Sequence, residues 1–179
     1  MSESVLRLHS VVKRFAGHTA VRNLSADVPR GGIFGLLGPN GAGKTTTIRM
    51  IMNIITPDAG RIELFGGQPA SRALTSRIGF LPEERGLYKK MRVLDHLVFF
   101  GEIKGLTPRD ARMRTRAWLE RLGLQDWSNH KVEDLSKGMQ QKVQFVATVL
   151  HDPLLLILDE PFSGLDPVNA EIIKNEIFE

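Results

Sequence analysis

The run Gly38-Pro39-Asn40-Gly41-Ala42-Gly43-Lys44-Thr45-Thr46 carries residue types and a spacing suited to gripping a polyphosphate. Gly38, Gly43, Lys44 and Thr45 fill the pattern G-x-x-x-x-G-K-[ST]. Glycines at 38, 41 and 43 let the backbone curl tightly, so that successive amides, from Asn40 through Ala42 to Thr46, turn inward as an anion nest. Lys44 adds a mobile positive charge for the outer phosphates, and the Thr45 hydroxyl is a suitable Mg²⁺ ligand. A second candidate pair, Asp159 and Glu160, follows the apolar run Leu154–Leu158. Asp159 can hold Mg²⁺ directly or through water, and Glu160 can orient and deprotonate an attacking water. The plain alternative is two surface acids ending a strand. With the glycine loop upstream, the pair implies chemistry on a nucleoside triphosphate.

These groups need elements to position them. Ile33–Leu37 reads as a buried strand feeding the loop, and the residues from Thr47 onward as a helix whose N-terminal end adds positive charge. That helix is expected to stop near Ile55, ahead of the turn cluster Pro57-Asp58-Ala59-Gly60. Residues 5–12 and 20–28 alternate loosely as half-buried strands, with Phe15 between them beside Lys13 and Arg14. On its own position, Phe15 is either a core residue or a ring that stacks on a nucleotide base. Arg61–Phe65 and Arg77–Leu81 read as further strands. The latter leads into Pro82-Glu83-Glu84-Arg85, a loop at a strand end, where sites of such sheets are built.

From Val93 to Leu150 the texture becomes helical. Apolar residues at 93, 94, 97, 98 and 100 keep near the 3.6-residue period. Thr107 and Pro108 make a helix start as N-cap and first residue, and that helix closes at Gly123. A third helix is expected after Ser136. Leu154–Leu158 reads as a strand buried on both faces. Ser163–Asp166 with Pro167 forms a turn before a last helix from about Val168.

Composition narrows the classes. The chain of 179 residues has 42% hydrophobic and 25% charged residues, which describes a folded, globular chain. It has no cysteine, so disulfides and thiolate metal sites are excluded. Its apolar runs are too short to span a bilayer, and the N-terminus lacks a secretion signal, so a cytoplasmic location is expected. Net charge is +4 without a Lys/Arg-rich run, and no nucleic-acid partner is expected.

With these residues assembled, the chain resembles the ATP-binding subunit of an ATP-binding cassette (ABC) transporter, over essentially its whole length and with the motifs in family order. Gly38–Thr46 matches the phosphate loop, Leu154–Glu160 the Walker-B strand with its catalytic glutamate, and Ser163–Asp166 the D-loop. Phe15 stands where the family has a base-stacking aromatic. Leu135-Ser136-Lys137-Gly138-Met139-Gln140-Gln141 resembles the signature Leu-Ser-Gly-Gly-Gln, with Lys137 in place of the first glycine. The resemblance implies an α/β fold. It would hold a P-loop NTPase core (1–91 and 151–179), an N-terminal antiparallel β part and an inserted helical lobe (92–150). Lys44 and Glu160 are then catalytic, and Thr45, Glu83 and Asp159 hold Mg²⁺. Ser136 and Gly138 would meet the γ-phosphate of ATP bound to a second subunit, in a head-to-tail dimer. The further partners implied are integral membrane permease subunits, at the cytoplasmic face of the membrane.

Three departures qualify that picture. Glu83 replaces the glutamine usual at its position; a carboxylate still ligates a hard cation but adds negative charge. The wording Leu-Pro-Glu-Glu-Arg-Gly-Leu-Tyr is similar to exporter-type cassettes that work with a separate permease. All five histidines (9, 18, 96, 130 and 151) precede Asp159, so none fits the family's switch histidine. The sequence stops inside an apolar helix, which leads us to expect C-terminally missing strands, weak hydrolysis by this piece, and association of the apolar helix with another copy or segment. The rival classes are a soluble cassette acting on ribosomes or nucleic acid, a kinase or small GTPase sharing only the loop, and a nucleotide-sequestering module. Kinases and GTPases give no reason for Ser136–Gln141, and no Asn-Lys-x-Asp motif is present.

Overall fold

The computed structural model describes residues 4–83, 86–162 and 166–178. Glu84, Arg85 and most of the turn expected over Ser163–Asp166 lie outside the described residues. The chain divides into two compact units, residues 1–78 and 79–179.

The first unit is built on an antiparallel sheet of β1 (Ser4–Phe15), β2 (His18–Pro29), β3 (Ala59–Leu64) and β4 (Gln68–Pro69), in the order β2-β1-β3-β4. Alternation decides which face is covered: Leu6 pairs with Leu64 and Val28, Leu8 with Ile62 and Ala26. Leu6, Leu8, Ile62 and Leu64 are all buried, and Ile48, Met50 and Ile51 of the helix α1 (Lys44–Ile51) complete the unit's apolar interior.

α1 stops earlier than the expected Ile55, for a local reason. Asn53 takes a left-handed conformation (φ 54°), its N–H bonds the Met50 carbonyl at 3.0 Å, and Ile54 N–H bonds the Arg49 carbonyl at 2.9 Å. This pair of bonds closes a helix C-terminus, with asparagine tolerating the turn that glycine usually makes. A short helix α2 (Arg72–Thr75) follows β4.

The expected strand over Ile33–Leu37 does not form. Among the described residues nothing pairs with it in a ladder, and Ile33 and Leu37 are 79% and 92% exposed. An apolar run becomes a strand only when a neighbour accepts its amides and carbonyls; without one the segment stays irregular.

The second unit holds a two-stranded sheet, β5 (Ile78–Leu81, whose first residue closes the first unit) with β6 (Leu155–Leu158), and the helices α3 (Val93–Ile103), α4 (Pro108–Arg121), α5 (Lys137–Val149) and α6 (Pro167–Phe178). β6 is half-buried along its length and Leu154 is exposed, so the strand is not covered on both faces as expected. α4 begins as anticipated: the Thr107 side chain accepts from the Asp110 amide at 3.1 Å, with Pro108 in the first turn. Such a cap stabilises by about 1 kcal/mol. The core of this unit gathers Leu97 of α3, Leu119 of α4, Phe145 and Val146 of α5 and Ile173 of α6. Ile172 and Ile177 pack against it too, so α6 keeps most of its apolar residues covered, with Val168 and Phe178 exposed.

Candidate nucleotide site

The phosphate loop opens α1 within the first unit. Gly41 and Gly43 both adopt left-handed backbone (φ 81° and 88°), and Gly43 is the N-cap with no side chain capping the helix. The first closed turn is Thr47 N–H to the Gly43 carbonyl at 2.8 Å, so the amides of Lys44, Thr45 and Thr46 precede the helix's internal bonds. Those amides, the glycine conformations and the helix dipole together form a cradle for negative charge. Lys44 Nζ donates to the loop's own carbonyls, Gly38 at 2.6 Å and Pro39 at 3.1 Å. The ammonium is thereby held over the loop. Asn40, Ala42 and Thr45 are exposed and Thr46 half-buried.

Close packing fixes the loop to the sheet. A Cβ on Gly43 would stand 2.3 Å from the Ala20 carbonyl oxygen and 3.0 Å from a Val21 methyl, both on β2. Ala20 lies two residues past His18, which pairs with Phe15 across the β1–β2 hairpin. The structure therefore puts Phe15 and the phosphate loop at one end of the same hairpin. Phe15 is 47% exposed, its ring near-parallel to His18 at 6.4 Å and 5.6 Å from Lys13 Nζ. A core role for this ring is ruled out by its exposure.

The remaining predicted residues fall in the second unit. Glu83 follows β5 and Asp159 follows β6, and the two strand ends are tied by Asp159 N–H to the Leu81 carbonyl at 2.9 Å. Glu83 and Glu160 are exposed, Asp159 half-buried. Glu160 sits at φ 51°, uncommon for a residue with a side chain. α5 braces this edge. Gln144 donates its side-chain amide to the Pro82 carbonyl at 3.1 Å, and Gln141 to the Pro161 carbonyl at 3.4 Å. Sequence reasoning missed both as positioning groups, although glutamines at 141 and 144 on an otherwise apolar face were the available signal.

Ser136 caps α5, its Oγ accepting the Met139 amide at 3.3 Å. Gly138 is pressed against α6: a Cβ there would stand 2.5 Å from Asn169 Nδ2, and that nitrogen donates to Asp166 Oδ2 at 2.6 Å. Donation from the Asn169 side chain, then from its amide, holds the Asp166 carboxyl below the usual carboxylate range. Among the described residues no three His, Cys, Asp or Glu side chains form a cage for a metal. By their chemistry, the Thr45 hydroxyl and the Glu83 and Asp159 carboxylates are each oxygen donors of the kind a hard cation such as Mg²⁺ takes.

The family model for ABC transporters matches residues 21–163. An uncharacterised ABC transporter ATP-binding protein, YhaQ of Bacillus subtilis, is 51% identical over 173 residues, covering 97% of this chain and 58% of that protein. A Nod factor export ATP-binding protein I of Cupriavidus pinatubonensis is 38% identical over 172 residues, covering 95% of this chain and 53% of that protein. The solved structure of CbiO1 from Clostridium perfringens, part of the ABC transporter complex CbiONQ, superposes with a TM-score of 0.84 at 27% identity, covering 99% of this chain and 73% of that one. The chain belongs to the ABC transporter ATP-binding family and has its α/β ATPase fold. It spans a little over half the length of the curated relatives it matches.

Proposed function

We propose that this chain binds Mg-ATP as the motor subunit of an ABC transporter that exports its cargo through a separate permease, working at the cytoplasmic face of the membrane. The observation that carries the reading is the loop at 38–46, with its left-handed glycines, uncapped helix start and poised lysine. The export direction is supported by the similarity to the Nod factor export ATP-binding protein and by the sequence after Leu81. Among the described residues no helix is long and apolar enough to cross a membrane, which fits a subunit that relies on others for the passage.

The roles follow from chemistry. Backbone amides from Gly41 to Thr46 and Lys44 Nζ bind the phosphates, and the Phe15 ring takes the base. Thr45, Asp159 and Glu83 supply the oxygen ligands for Mg²⁺, which neutralises charge on the outer phosphates when bound. Glu160 orients a water and accepts its proton as that water attacks the γ-phosphorus, while the bond to the β–γ bridging oxygen breaks and ADP leaves with its electron pair. Ser136 and the first amides of α5 meet the γ-phosphate held by a second copy, packed head-to-tail. The core that does this comprises 1–91 and 151–179, and the helical lobe 92–150 presents the signature. Residues 1–179 by themselves should hydrolyse slowly, because no histidine follows Asp159 to sense the γ-phosphate.

Titration calorimetry with Mg-ATP tests the reading. The chain should give a saturable heat, and Lys44→Ala should weaken binding by about 10- to 100-fold, the scale of one charge-assisted hydrogen bond. Folded protein that releases no heat with Mg-ATP refutes it.

A further inference from the structure

Asp58 is tied to the last residues of β1 by both its backbone and its side chain. Its N–H donates to the Val12 carbonyl at 2.8 Å. One carboxylate oxygen accepts the Arg14 amide at 2.6 Å and the other accepts Lys13 Nζ at 2.9 Å. Lys13 Nζ also donates to the Thr56 carbonyl at 2.7 Å, and its side chain is only 15% exposed, low for a lysine. The same ammonium stands 5.6 Å from the centre of the Phe15 ring, within the range of a cation–π contact. Three consecutive residues, 12 to 14, are thus gripped by one aspartate immediately before an exposed aromatic. The Arg14 amide and the Lys13 ammonium also lower the Asp58 carboxyl's pKa, which keeps the clamp charged.

Exposed rings are ordinarily free to change rotamer, and a ring that must be ordered on binding loses affinity to that ordering. The end of β1 is paired on one side only, Arg14 with Thr19 and Phe15 with His18 of β2, while ladder pairing with β3 ends at Val12, so its other edge frays unless held. Asp58 counters both effects at one point, fixing the backbone at Arg14 directly and restricting the ring through Lys13. We propose that Asp58 is a positioning residue for nucleotide recognition, holding the end of β1 and Lys13 so that Phe15 is pre-set to stack on the base of a nucleoside triphosphate. The proposal rests on Phe15 being the base-stacking ring. Asp58 touches neither the base nor the phosphates in this scheme and acts only through residues 13 to 15.

The test separates base from phosphate. Calorimetry on the 179-residue chain compares Mg-ATP with magnesium tripolyphosphate, which has the phosphates and no base. Asp58→Ala should weaken Mg-ATP by about three- to tenfold, a part of what a stacking ring contributes, and leave tripolyphosphate within about twofold. In a Phe15→Ala background the same substitution should no longer discriminate. Equal loss of both ligands, no loss of either, or an undiminished loss without the ring overturns the proposal. If Asp58→Ala fails to fold by circular dichroism, Lys13→Met, which keeps the aliphatic stem, is judged by the same criteria. Phe15→Ala that binds Mg-ATP like the parent refutes the stacking role itself, a separate outcome from the failure of Asp58.

Discussion

A methyl group at position 43 has no room. It would lie 2.3 Å from the Ala20 carbonyl oxygen, on a backbone already at φ 88°. Left-handed conformation costs a residue with a Cβ about 1–2 kcal/mol before any collision is counted. Gly43→Ala therefore forces either the loop off β2 or the glycine conformation out of the nest, and both displace the amides that face phosphate. Mg-ATP affinity should fall by about tenfold or more, with a lowered melting temperature. Calorimetry and thermal unfolding on the same sample check it, and near-parental affinity would mean that the nest does not depend on this contact. Glu160 is the reverse case, a residue with a full side chain held at φ 51°. Strain of this kind is tolerated only where the surroundings fix it, and it clusters at functional sites.

Helix α3 buries a group that does not belong in an apolar interior. His96 is fully buried against the rings of Phe100 at 4.8 Å and Tyr88 at 5.9 Å, and neither ring nitrogen has a hydrogen-bond partner among the described residues. Burial lowers its pKa from 6.5 to about 4. In the unfolded chain the ring takes up a proton near pH 6.5, while in the folded chain it resists until about pH 4. Between those values the unfolded state binds more protons, so stability is complete above pH 6.5 and falls as pH drops towards 4. The loss amounts to roughly 3 kcal/mol at most. His96→Met should remove that part of the acid sensitivity and raise stability at pH 5; urea titrations at pH 5 and pH 7.5 measure it, and an unchanged pH slope contradicts it. Elements of this sort show what a sequence discloses. Thr107-Pro108 and Ser136 announce helix starts because capping is chemistry between residues three apart. Asn53 carried the end of α1 in the same local way, though the proline further on drew the boundary to Ile55. Ile33–Leu37 was illegible, since a strand is defined by a neighbour far away in sequence. The left-handed Glu160 and the grip of Asp58 on β1 also depend on distant contacts that no spacing rule encodes.

Taken whole, the chain divides its candidate chemistry between two compact units, with the phosphate loop and Phe15 in the first and Glu83, Asp159, Glu160 and the signature residues in the second. The phosphate-site motifs were legible because each is a short local pattern. The covering of α6 was not, because Ile172, Ile173 and Ile177 join a core made with Leu97 of α3, Leu119 of α4 and Phe145 of α5, elements earlier in the chain. In the head-to-tail reading, ATP joins two copies by contacts to the loop of one and the α5 start of the other, and hydrolysis dissolves the bridge. Replacing Glu160 by glutamine keeps the side chain's size and one acceptor oxygen for water, and exchanges the proton-accepting oxygen for an NH₂ donor. In the intact protein, turnover should then fall by at least about a hundredfold, at the lower end of what general-base catalysis contributes. Bound ATP survives, so light scattering with Mg-ATP should report a species of twice the monomer mass that dissolves when nucleotide is withdrawn. Parental turnover in Glu160→Gln would take the base role from this residue. A variant that binds ATP, fails to hydrolyse it and stays monomeric would leave the loop chemistry standing and remove the second copy from the mechanism.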